Sequence, residues 1–459
     1  MERAACIITI LMSAIVVGSS YWGQTTGAFF GYLISSILYG YLALKVVRTS
    51  PTTVSAVSVV LSCGFAQLLL LSADPLLSED IWRYIWDGQQ VRAGLNPYCV
   101  SPDDPSMTAF EHTRSLSSIR AQIGHAHLVS IYPPLAQFVF AASTWLGKST
   151  IPIRLLMITA NMVTLFVVSR WLGCKNMRVN HSIILLSANP VFLFEGAISG
   201  HIDSVGVMCF VVSLYFLSVR KDTLGTLFYG FAILTKIVPI FGIPLTFKRK
   251  LGSYLTLGLV LLGGYAIWLD DECNALGSLS TFAAQWQHNG SIYEIAYQMF
   301  HALSAMSAYT LPVPEFLKMW TTGASEMLDV HQRAQLQTKL FCGAGLVGGL
   351  LKMRQCEIWL GAFGALALLL LLSPVVHPWY LMWLVPCLPL LQVKYGHMGT
   401  SPLIWWSSTI CVAYWARVQL VTTGEWQPSV SLQWVEYLCL YALIFWSAFV
   451  ISRRRPSNP

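Results

Sequence analysis

The sequence predicts an all-α, polytopic membrane protein, one integral domain over residues 1–459. Three observations carry this. Hydrophobic residues make up 55% of the chain and charged residues 11%, with a mean hydropathy of +0.59; soluble proteins carry about a quarter charged residues. Apolar runs of roughly 17–25 residues, long enough to cross a bilayer as helices, recur from end to end. Stretches such as GALALLLLLSP do not alternate, which excludes the β-barrel, the other structure that can span a membrane.

In order, the N-terminal MERAACIITILMSAIVVG has the basic start of a signal peptide. Its apolar run is long and shows no clear small-x-small cleavage site, so it reads as an uncleaved first helix. Spans follow over 5–22, 28–47 and 54–72, and a polar stretch over 74–133 then lies outside. The apolar piece 134–147 is short for a crossing and reads as a re-entrant or interfacial helix. Spans at 151–171, in HSIILLSANPVFLFEGAIS, and at 203–219 come next. Segment 224–246, with Lys236 and Pro239 at its middle, reads as a broken hairpin from the inner face, Lys236 reaching the inner interface along its stem. A span at 251–269 leads to a second outer stretch, 270–336. Spans near 337–353, 357–373, 378–393, 402–420 and 432–451 complete about 12 crossings, with two partial ones, by the span-length criterion.

The net charge of +7 sits in short runs: Lys45 and Arg48, Arg170 to Arg178, Arg220 and Lys221, Lys248 to Lys250, and Arg453 to Arg455. Cytoplasmic loops of membrane proteins carry such runs. Membrane lipids are therefore the expected partner of this charge, not nucleic acid. The eleven cysteines form no CxxC or Cys/His metal spacing; Cys99 and Cys273 fall in loops placed outside, which leaves a bridge open.

The remaining polar clusters gather on the outer face: Asp80/Arg83/Asp87 in SEDIWRYIWDG, Tyr132-Pro133-Pro134, Glu195/His201/Asp203, His288/Asn289 and His377. Ionisable groups at a membrane are costly unless paired or wetted, so each is a candidate for function. Asp80 and Asp87 lie two helical turns apart and share a face with Tyr84. The same spacing also suits an interfacial helix with an Asp/Arg pair and an aromatic belt. Glu195, His201 and Asp203 lack the HExxH spacing of a zinc helix; a hydrogen-bonded structural cluster is the alternative to a site.

SEDIWRYIWDGQQVRAGLNPY, YPPLAQ, NPVFLFEGAISGHIDS, LTKIVPI and HPWYLMWLVP, in that order over most of residues 70–390, resemble the polyprenyl-phosphate-sugar-dependent glycosyltransferases of the C-type fold (GT-C). Among these the chain is similar to the bacterial polyprenol-phosphomannose mannosyltransferases and to the first mannosyltransferase of GPI-anchor synthesis. Ser78 stands where the family's DxD motif has its first carboxylate, which leaves Asp80 and Glu79 as alternative bases.

The resemblance implies inverting transfer of a hexose, mannose above all, from a polyprenyl-phosphate donor to a glycan or lipid acceptor on the outer face of a bacterial inner membrane. Such chemistry needs a carboxylate to take the hydroxyl proton and donors or cations for the departing phosphate. It places Asp80 and Asp87 as catalytic. Arg83, His377, Tyr380 and Tyr132 become donor phosphate or sugar ligands, and Glu195, His201, Asp203 and Asn289 orient sugar or acceptor. No cofactor or metal is expected, although some relatives of the fold use a divalent cation. Two other classes fit the spans: a transporter or flippase of a lipid-linked sugar, which predicts repeats and ionisable groups near the midplane, and an oligosaccharide polymerase or ligase.

Overall fold

The structure is a computed structural model describing residues 1–247, 250–271, 273–306 and 329–454. Lys248, Arg249 and Arg455 of the basic runs, Glu272, and 307–328 of the second outer stretch lie outside the described residues. The chain is 75% helical. Its described strands, Thr53–Ser55 and Arg178–Asn180, pair antiparallel with Val54 opposite Val179. That ladder joins two loops that the charge pattern puts on one face, and Glu2 accepts from the Ser55 amide at 3.0 Å at the same end.

Four described helices are long and apolar enough to cross a membrane: Glu2–Arg48, Ile151–Trp171, Leu251–Trp268 and Val430–Arg453. The first is a helical hairpin that accounts for two expected spans. It breaks at Gln24 (φ 47°, ψ −128°) and folds back so that Ser35 donates to the Met12 carbonyl at 3.0 Å. Ala56–Leu70, Asp203–Ser218 and Ile358–Leu372 are shorter apolar helices.

About twelve crossings are expected; four described helices reach spanning length, and several of the other expected spans are broken, in part by proline. Segment 378–393 is divided into 3₁₀ turns Pro378–Trp383 and Val385–Cys387 and a helix Leu388–Tyr395, because Pro378, Pro386 and Pro389 each lack the amide an α-helix needs. Segment 402–420 is also interrupted, with no proline at the break, by a 3₁₀ stretch at Ile410–Tyr414. In HSIILLSANPVFLFEGAIS the helix restarts at Pro190, where the Asn189 side chain accepts from the Val191 and Phe192 amides. The expected interfacial piece is a 12-residue helix, Pro134–Trp145, too short to cross, with Phe138 and Trp145 exposed.

One apolar core runs from Ala5 to Leu440. Within it Arg154, 1% exposed, donates to the carbonyls of Leu70, Leu71 and Ala197. It thereby satisfies two helix C-termini and fixes the chain just before His201.

Cys99 and Cys273 are bridged, 174 residues apart in sequence, tying stretches 74–133 and 270–336 together. Cys99→Ser is expected to lower the melting temperature in detergent, since a bridge closing so long a loop contributes about 2–4 kcal/mol. An unchanged melting temperature would show that packing alone holds these stretches.

Candidate active site

Asp80 opens the helix Asp80–Arg92, where a carboxylate in the first turn is favoured by the unpaired amides there. Gly88 lets this helix close on Pro134–Trp145: a Cβ at that position would lie 2.4 Å from the Phe140 carbonyl oxygen. The approach stacks Tyr84 on Phe140 at 4.4 Å, with Tyr132 edge-on to Tyr84 at 5.0 Å. The Tyr84 hydroxyl in turn donates to Asp80 Oδ2 at 3.4 Å.

Asp87 does not join Asp80. It is fully buried; Oδ1 accepts from Arg83 Nε at 2.7 Å, and Oδ2 accepts from Ser130 Oγ at 2.6 Å and Gln137 Nε2 at 3.4 Å. Arg83 also donates to the Leu128 carbonyl at 2.8 Å. The expected phosphate ligand and second catalytic acid are thus turned to each other, pinning loop 128–130 to the helix. Glu79 points elsewhere again and pairs with Arg417.

Around Asp80 the structure gathers Glu195, His201 and Asp203. Gly200 has φ +68°, a conformation glycine adopts without strain, and the turn sets the His201 ring between two carboxylates. Its Nδ1 is 3.6 Å from Asp80 Oδ2 and its Nε2 3.6 Å from Glu195 Oε2. Glu195 accepts from the Tyr32 hydroxyl at 2.9 Å and the Tyr414 hydroxyl at 2.7 Å. Asp203 accepts from Lys236 Nζ at 2.7 and 2.9 Å and from Trp383 Nε1 at 2.6 Å.

Lys236 corrects the sequence reading, which sent it to the inner interface. Helix Asp222–Thr235 ends at Lys236, whose backbone is extended (φ −154°, ψ 132°), and Pro239 prevents its resumption. The broken hairpin therefore has its apex at the depth of Asp203. Lys236 Nζ also sits 4.4 Å from the centre of the Tyr380 ring, a cation–π distance.

A column of rings forms one wall. His201 stacks on Trp379 at 4.0 Å, Trp379 on His377 at 4.3 Å, and His377 meets His288 at 4.8 Å. His288 reaches it because its amide donates to the Pro374 carbonyl and its carbonyl accepts from Val376. Asn289 is turned away: its side chain donates to buried Glu436 at 3.3 Å and its carbonyl accepts from Tyr437.

Packing on nearly all sides raises the Asp80 pKa to about 6; Lys236 pulls it down and Asp203 pushes it up. About a third of its side-chain surface (34%) nevertheless stays open, so the carboxyl is both activated and reachable. Burial holds His377 well below the usual imidazole value, with His288 and Lys236 acting the same way. His201 is lowered by burial and by Lys236. Both rings are neutral at pH 7, and Lys236 is the cation of this cluster among the described residues.

Among those residues the only His/Cys/Asp/Glu group close enough to share a metal ion is Cys99, Asp270 and Cys273, and its two sulfurs are joined to each other. The sequence reading did not single out Tyr32, Tyr414, Trp379 or Trp383, since nothing local marks one membrane aromatic from another. The Pro-broken apolar segment around Lys236 was a usable signal.

A family model described as "Alpha-(1->6)-mannopyranosyltransferase, N-terminal domain" matches residues 10–248. That range contains Asp80, Tyr132, Glu195, His201, Asp203 and Lys236. No curated protein and no solved structure matches the chain.

Proposed function

The chain belongs to the alpha-(1→6)-mannopyranosyltransferase family, and from that premise we propose that it moves mannose from a polyprenyl-phosphate donor to a glycan hydroxyl on the extracytoplasmic face, with inversion. That it is a glycosyltransferase of the mannosyltransferase kind, using a sugar donor and a glycan acceptor, follows from the family. The donor, the face and the stereochemistry are our reading.

One observation carries it: an open carboxylate, Asp80, shares a cluster with a single lysine cation at the mouth of an apolar helical body. Asp80 takes the proton of the acceptor hydroxyl as its oxygen bonds to the mannose anomeric carbon. The bond from that carbon to the phosphate oxygen breaks on the opposite side, and polyprenyl phosphate leaves. Lys236, steered by Asp203 and Tyr380, stabilises the charge that builds on the phosphate, the kind of fixed electrostatic aid that speeds group transfer. With a lysine in that place we read no metal or other cofactor into the step. An α-linkage made by inversion requires a β-linked mannosyl phosphate.

The Cys99–Cys273 bridge supports the outer face, since disulfides persist in oxidising compartments. We retain a single catalytic domain and about twelve crossings, broken helices included, as the topology.

The test is transfer by the purified full-length protein in lipid vesicles. Radiolabel from polyprenyl-phosphate mannose is expected to reach an α-mannan oligosaccharide, and label from GDP-mannose is not. Transfer from the nucleotide sugar alone would overturn the donor reading.

A further inference from the structure

We propose that Glu195, His201 and Asp80 form a proton-holding triad in which His201 accepts, from Asp80, the proton that Asp80 removes from the acceptor hydroxyl. The proposal rests on the reading of Asp80 as the base, and it adds a residue and a step to that reading.

The argument starts from Glu195. Two tyrosine hydroxyls donate to it, one to each oxygen, so its carboxylate is held as an acceptor facing His201 Nε2. The nitrogen that faces it is then the one carrying hydrogen, because an imidazole's tautomer follows the partner on its far side. This tautomer is assigned from the hydrogen-bonding network. It leaves the Nδ1 lone pair directed at Asp80 Oδ2, 3.6 Å away.

His201 is completely buried, and neither ring nitrogen has a hydrogen-bond partner. An imidazole with two unpaired nitrogens is costly to bury, which sets His201 apart from a ring held for packing alone. Distances of 3.6 Å exceed a hydrogen bond, but catalytic contacts are often long before substrate tightens the site. Stacking on Trp379 at 17° between planes fixes the ring so that only a small shift is needed.

The proton balance is simple. The hydroxyl O–H bond breaks and its proton joins Asp80 Oδ2; the proton then moves to His201 Nδ1, giving an imidazolium and restoring the Asp80 carboxylate. Glu195 stabilises the imidazolium through Nε2–H. When product leaves, the proton returns through Asp80 to water at its open edge. The charged groups facing His201 are Asp80 from its helix, Glu195 from Pro190–Ala197, and the Lys236–Asp203 pair. Tyr32 and Tyr414 act through Glu195, and His377 lies behind Trp379. Lys236 opposes the imidazolium, whereas Glu195 and Asp80 favour it.

The test compares His201→Gln, Glu195→Gln and the double variant in vesicles supplied with polyprenyl-phosphate mannose, after confirming donor binding by each. Glu195→Gln removes the charge that stabilises the imidazolium, so it disables the same step while leaving the ring in place. Each single variant is expected to lose about 10²-fold in turnover, within the range of acid–base groups. The double variant should be no slower than the worse single one, as for residues acting as one unit. The acid limb of the pH–rate profile should also move to lower pH in His201→Gln, since the proton shared by the pair then belongs to Asp80 alone. Multiplying losses, or an acid limb that stays in place, would overturn the triad and leave a packing role. If a variant fails to bind donor, rates of the wild-type protein in H2O/D2O mixtures decide: a curved dependence supports two protons in motion, and a straight line overturns the relay. Activity in Asp80→Asn is a separate failure, that of the base itself.

Discussion

Asp80→Asn is expected to lower mannosyl transfer by about 10²–10⁴-fold, the range for a lost general base, while donor binding survives. Asparagine keeps the size and much of the hydrogen bonding and removes the basicity. The wild-type pH profile should carry the same signature. Asp80 is raised to about 6 by burial and works unprotonated, so turnover should fall as pH drops through about 6 and level off above it. Two neighbours separate chemistry from structure. Asp87→Asn leaves Arg83 without its buried counter-charge, so its main effect should be instability, about 3–5 kcal/mol for half of a buried pair. Glu79→Gln breaks the half-exposed pair with Arg417, which should cost no more than about 1 kcal/mol. Near-normal turnover in Asp80→Asn together with collapse in Glu79→Gln would move the base by one residue.

Lys236→Met should give the second large effect. Asp203 is fully buried, and without the lysine only Trp383 Nε1 remains to it. Stability should fall by about 3–5 kcal/mol, and turnover by about 10²–10³-fold through the lost stabilisation of the leaving phosphate. The combination Asp203→Asn with Lys236→Met removes both charges. It should recover much of the melting temperature and none of the turnover. If turnover returned with the melting temperature, the lysine would be a structural cation and the phosphate would be held elsewhere.

Where the site was legible in sequence, the reason was local. Asp80, Glu195, His201 and Asp203 stood out because each is an ionisable group at the end of an apolar run, and the structure brings all four together. The partnership of Arg83 with Asp87 was legible too, since residues four apart on a helix are neighbours and the interfacial-helix alternative already held an Asp/Arg pair. Lys236 was misplaced because its long stem was taken to reach back to the inner interface, whereas the break after Thr235 turns its ammonium onto Asp203. The ring column from His201 to His288 could not be read at all. It joins segments from across the chain, and its stacking depends on backbone pairing between 288 and 374–376. The same long-range origin explains the span count, because short proline-broken helices are stable only when neighbouring helices satisfy their free backbone groups.

The cluster is also a seam between two stretches of the chain. All three carboxylates that face one another across it, together with His201 and Lys236, fall inside the stretch that matches the family model, residues 10–248. The surfaces that hold them come from beyond it: Trp379 under the imidazole, Tyr414 on Glu195, Trp383 on Asp203 and Arg417 on Glu79. The first half expressed alone would therefore carry Asp80, Glu195, His201, Asp203 and Lys236 and none of these clamps.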